Sequence, residues 1–164
     1  MKEKQVSEEA VKKFKEEYNC AQSTLCAFIG NSMDENLALN LSVGFGAGMG
    51  RKQEICGAIS GAIMVLGLKY GNDGNSTKEK TNNVYKKVQC LIERFTKEKG
   101  TVKCIELLNN CNLSTDEGQE YFNNNNLKES ICCECVALTC KILEEIIEEK
   151  KLFAKGTLSS MNIT

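Results

Sequence analysis

Residues 56–68 read CGAISGAIMVLGL, a run without a single charge, headed by a cysteine whose nearest neighbours carry almost no side chain. Apolar residues continue from 55 to 70 with no strict alternation, so the stretch predicts a helix that is buried on nearly all sides. Its uncharged part, 55–68, is shorter than the roughly 20 residues that cross a bilayer. Gly57 and Gly61, and Ala58 and Ala62, recur four residues apart on adjoining faces. Such small pairs let a second helix approach very closely. A central helix of this kind needs other helices around it, and the rest of the chain supplies them.

Val6, Ala10, Phe14 and Tyr18 mark one face of a first amphipathic helix, with Lys and Glu opposite. Further helices are expected over 20–29, 36–43, 76–99 and 102–108. Ser114 and Glu117 form an S-x-x-E capping box for another short one, and a last helix covers 130–150. In the long 76–99 helix, Val84, Val88, Leu91, Ile92 and Phe95 point inward. The expected fold is all-α, a single-domain bundle of about six to eight helices over residues 1–150. Residues 151–164 read as a loosely held tail.

Composition removes several chemistries. The chain of 164 residues has no histidine, so imidazole is absent as base, shuttle or ligand. Lys and Arg number 21 against 22 Asp and Glu, which leaves no basic footprint for nucleic acid or an anionic membrane. The charged N-terminal stretch lacks a signal-peptide core, and a cytoplasmic location is expected. Ten cysteines then become the leading clue. In a reducing compartment, clustered thiols belong to redox or metal sites more often than to structural disulfides.

The glycine-rich GFGAGMG at 44–50 fits neither the dinucleotide fingerprint nor the phosphate-loop spacing, and reads as a flexible connection where backbones approach closely. Cys132 and Cys135 stand three apart and share a helix face, enough for a redox pair or two ligands to one metal. Cys133, Cys135 and Cys140, and still more Cys26, Cys90 and Cys111, also read as small buried hydrophobes. Cys56 differs by position. It opens a helix, where free N–H groups and the macrodipole favour a thiolate and lower its pKa.

The stretch FGAGMGRKQEICGAISGAIMVLGLKYG resembles the core of the family named for its C–GCAxxG–C–C cysteine pattern, bacterial and archaeal proteins described as redox-active. The central motif stands here as Cys56-Gly57-Ala58-Ile59-Ser60-Gly61, and the first family cysteine falls in Tyr18-Asn19-Cys20-Ala21-Gln22. The third matches Cys104, ahead of Leu107-Leu108, and the fourth Cys132, ahead of Val136 and the run Ile142 to Ile146. The resemblance implies that Cys20, Cys56, Cys104 and Cys132 form the site, and that a redox partner protein exists.

Each of these four cysteines lies on or beside a different expected helix, so they meet only if the bundle brings them together. Two pairs would suit reversible disulfides. Four converging thiolates would suit an iron–sulfur cluster or Zn²⁺. Gly57, Ala58 and Gly61 are the residues expected to let helices, or a bound group, close around the sulfurs. Thiol redox chemistry is the first expectation, with Cys56 as the thiolate, and cluster or metal binding the second. A purely structural helical protein is a distant third. Glycine-lined amphipathic helices also suit a homodimer.

Overall fold

The computed structural model describes residues 6–71, 74–75 and 77–154. The fold is all-α, and no strand forms among the described residues. Eight right-handed helices follow in order: α1 Val6–Lys15, α2 Cys20–Ile29, α3 Glu35–Ser42, α4 Gly57–Tyr70, α5 Lys78–Lys99, α6 Cys104–Leu107, α7 Asp116–Asn124 and α8 Cys133–Ala154. None of them is long and apolar enough to cross a membrane.

The apolar helix of residues 56–68 is the centre of the bundle. In α4, Ala58, Ile59, Ala62, Val65 and Leu66 have no exposed surface. Helices α2, α5 and α8 pack around it, and α1 lies across α2 and α8. The glycines act as their spacing predicts. A side chain at Gly57 would collide with the Cys20 sulfur, and one at Gly61 would stand 2.6 Å from the Ala21 carbonyl oxygen. Helix α2 therefore lies almost backbone-to-backbone on α4. On α5, Leu91 and Phe95 are fully buried, with Val88 and Ile92 packed against the same core.

Several boundaries shift for local reasons. Helix α1 stops at Lys15 rather than reaching Tyr18, because α2 needs an extended cap at Asn19. Asp34 caps α3 by accepting from the Leu37 N–H. Helix α5 begins at Lys78 with Thr77 as its cap, and residue 76 lies outside the described residues. The α7 cap is Thr115, which accepts from Gly118 N–H, while Ser114 instead donates to Asn112 Oδ1. Helix α8 continues to Ala154, past its expected end at 150, and the expected tail from 155 onward lies outside the described residues.

The largest departure from expectation is at 46–53. Ala47, Gly48, Met49, Gly50 and Arg51 all have φ between 50° and 68°, and Gln53 has φ 58°. This is a left-handed turn, closed by Gly50 N–H donating to Gly46 O at 2.9 Å. The expected flexible connection is instead a defined and strained element. Successive left-handed residues are rare because Cβ crowds the following carbonyl, at about 1–2 kcal/mol each. Glycine removes the cost at Gly48 and Gly50 only. Ala47, Met49, Arg51 and Gln53 carry it, and the surrounding structure must hold them there.

Candidate functional site

The first thiol is placed by a cap. Asn19 Oδ1 accepts from the N–H groups of Ala21 and Gln22, both at 3.0 Å, while Gln22 Oε1 accepts from Asn19 N–H. This capping box fixes Cys20 as the first residue of α2. Asn19 also donates through Nδ2 to Val43 O at 2.8 Å, tying the helix start to the turn ahead of 46–53. Gly46 has no room for a side chain there, because Asn19 fills the space.

The second and third thiols are set by a short antiparallel crossing. Ile55 bridges Lys103, with Cys56 N–H donating to Val102 O at 2.8 Å and Cys104 N–H to Glu54 O at 2.6 Å. Cys56 thus caps α4 while Cys104 starts α6 on the facing segment. Gln53, buried and left-handed, anchors the crossing. Its Nε2 donates to Cys111 O at 2.8 Å, and its Oε1 accepts from Leu113 N–H at 2.7 Å. The strain at Gln53 is thereby offset by two buried hydrogen bonds. Gly48 packs its backbone against Gln53 and the Cys104 Cβ.

The fourth thiol comes from a helical irregularity. Residues Lys128–Cys132 form a single π-type turn that runs into α8. Such turns insert one extra residue and re-aim the side chains around them, often at functional sites.

These elements bring Cys20, Cys56, Cys104 and Cys132 to the wall of one cavity of about 400 Å³. It lies between the main core and a smaller cluster built on Cys104, Leu108, Cys111 and Leu113. Phe14, Tyr18 and Phe122 supply aromatic wall, and the exposed Glu17, Arg51 and Asn123 stand at the rim. Lys128 Nζ sits 5.0 Å above the Phe14 ring on the same wall. Gly57, Ala58 and Gly61 do not line the cavity. They stand behind it, where α2 closes on α4.

A fifth thiol joins them, which the sequence left as half packing residue. Cys135 lines the cavity, is 2 % exposed, and interacts thiol-to-thiol with Cys56. The signal for it was the CxxC of Cys132 and Cys135. The remaining cysteines are placed elsewhere. Cys26 and Cys140 are buried in the main core, Cys90 is half-buried on α5, and Cys133 faces Glu129 at 3.9 Å. Cys111 donates to Gly118 O at 3.2 Å, beneath Cys104. All ten are free thiols.

The electrostatics overturn one expectation. Cys56 was expected to have a lowered pKa, but it is pushed up to about 12, first by the Cys135 thiol beside it and then by burial. Its position is the helix cap itself, and it makes no cap hydrogen bond, so the helix start has only a weak hold through the Ala58 N–H. The Cys20 thiol acts in the opposite direction, as a donor that favours the Cys56 anion. Correspondingly Cys20 is pushed well above its ordinary range, chiefly by Cys56. Burial raises Cys104 to about 12 and raises Cys132 further. Within the Cys20/Cys56 pair, Cys56 is the first to ionise. Among the described residues, no three Cys, Asp or Glu side chains stand close enough together to hold one metal ion.

The sequence model of the family described as "Putative redox-active protein (C_GCAxxG_C_C)" matches residues 18–146. No curated protein and no solved structure matches the chain.

Proposed function

Since the chain belongs to the C_GCAxxG_C_C family, whose description is "Putative redox-active protein", we propose that its cavity is a two-electron dithiol centre in which Cys20 and Cys56 form a reversible disulfide. The observation that supports this reading most is the convergence of the four motif cysteines, from four separate elements, on one cavity. Exchange with a partner disulfide balances without any cofactor. The Cys56 thiolate attacks one partner sulfur and expels the other as a thiol. Cys20 then attacks Cys56 Sγ, forming the internal disulfide and releasing the second partner thiol. The thiol next to Cys56 is the one that donates to its anion, so the resolving group also activates the nucleophile. Because both thiols are on balance held above their ordinary range, the disulfide is favoured at neutral pH, and the centre is a reductant rather than an oxidant. A dithiol or disulfide protein is the partner such an exchange requires.

Equilibration in a graded thiol/disulfide buffer tests this. Wild type shows one two-electron transition, at a potential below the roughly −270 mV typical of thioredoxin-type pairs. Cys56→Ser abolishes it and Cys20→Ser removes the Cys20–Cys56 couple and so moves its midpoint, whereas Cys90→Ser leaves it unchanged. Retention of the transition in both site variants contradicts the reading.

A second reading starts from the same shared cavity: Cys20, Cys56, Cys104 and Cys132 would have to draw closer than they stand to hold an iron–sulfur cluster, which would supply one-electron chemistry. Anaerobically purified protein would then absorb broadly in the visible, with stoichiometric iron and sulfide. A colourless protein with these thiols free to titrate excludes it.

A further inference from the structure

Cys135 lies outside the four-cysteine pattern, yet it is seated more deeply than any motif cysteine. It comes from α8, one turn beyond Cys132, and reaches the cavity because the π-type turn at Lys128–Cys132 sets the phase of the helix behind it. At the same turn, Lys99 Nζ pairs with Glu134 Oε2 at 2.8 Å, so the residue before Cys135 is tied to the end of α5. Cys56 thus has a thiol on each side, Cys20 from α2 and Cys135 from α8.

We propose that Cys135 is a fifth working member of the centre, which takes Cys56 over from Cys20 by internal thiol–disulfide exchange. The inference rests on Cys56 being redox-active as argued above. In the exchange, the Cys135 thiolate attacks Cys56 Sγ of a Cys20–Cys56 disulfide. The Cys56–Cys135 bond forms, the Cys20–Cys56 bond breaks, and Cys20 leaves as a thiolate that takes up the proton Cys135 gave up. No electron enters or leaves the protein, so no further oxidant is needed. The result moves the disulfide from the α2 side of the cavity to the α8 side, where Cys132 shares the wall. One face of the centre can then be oxidised while another is read, without the helices having to separate.

The test is peptide mapping after oxidation with one equivalent of 2,2′-dithiodipyridine, on folded protein verified by circular dichroism. Cys20→Ser, or Cys20→Ala if the serine is not accepted, is expected to yield a Cys56–Cys135 disulfide in place of Cys20–Cys56. Adding Cys135→Ala is expected to cut the yield of any internal Cys56 disulfide at least tenfold and leave Cys56 as its pyridyl mixed disulfide. A Cys20 variant whose Cys56 remains a mixed disulfide, or joins another cysteine, overturns the role of Cys135 while the Cys20–Cys56 reading stands. If wild type itself forms no Cys56 disulfide, both fall.

Discussion

At the scale of single residues, the chemistry turns on how thiols sit against one another rather than on a helix dipole. The position of Cys56 at the head of α4 was legible in the sequence. Its neighbours were not, because the two thiols against it come from residues 20 and 135, and no local pattern specifies which helix faces meet. The prediction that follows is kinetic. With Cys56 raised to about 12, its alkylation by iodoacetamide under anaerobic conditions increases about tenfold per pH unit from about pH 7 to about pH 10, with no plateau. A plateau near neutrality would mean a stabilised thiolate. Gly57 gives a second prediction. A methyl group there meets the Cys20 sulfur and stands 2.8 Å from the Phe45 carbonyl oxygen, so Gly57→Ala destabilises by about 1–3 kcal/mol in urea unfolding and displaces α2 from α4.

At the scale of elements, the helices followed their periodicity and the irregular pieces did not. The capping pair Asn19 and Gln22 is visible within YNCAQ once its spacing is read as a box, and it explains why a cysteine follows directly. The left-handed turn over 46–53 could not be read, because glycines at alternate positions announce freedom without stating its hand. The non-glycine residues between them adopt the same conformation against their own preference. Gln53 pays for part of this by bonding to Cys111 and Leu113, so Gln53→Ala is expected to destabilise by about 2–4 kcal/mol through two orphaned backbone groups. The same variant should speed modification of Cys104, whose segment Gln53 anchors. Met49 is 42 % exposed, so Met49→Gly gives up little packing and stabilises by about 1 kcal/mol, measured as a higher urea midpoint.

At the scale of the whole molecule, the cavity is a seam between two hydrophobic clusters, and its thiols couple the seam to pH. The all-helical bundle around 56–68 was legible from the charge-free run and its small residues. The cavity was not, since it depends on the 46–56 and 102–113 segments crossing at a single bridge. Cys56 and Cys104 have folded-state pKa values near 12, raised from 9.0, so the unfolded chain loses these protons first as pH rises. Stability is therefore fully present below about pH 9 and falls between about pH 9 and about pH 12, by about 1.4 kcal/mol per pH unit for each such thiol. Anaerobic thermal melts across that range check the sign: the melting temperature falls with alkali, and a rise would contradict the burial of neutral thiols. What decides the mechanism is which sulfurs join. The most direct measurement is mass-spectrometric mapping of disulfides in wild-type protein after one equivalent of a small-molecule disulfide. A dithiol centre at Cys56 yields a linkage between Cys20 and Cys56, or its exchange product between Cys56 and Cys135; ten free thiols, or linkages confined to Cys26, Cys90 and Cys140, would contradict it.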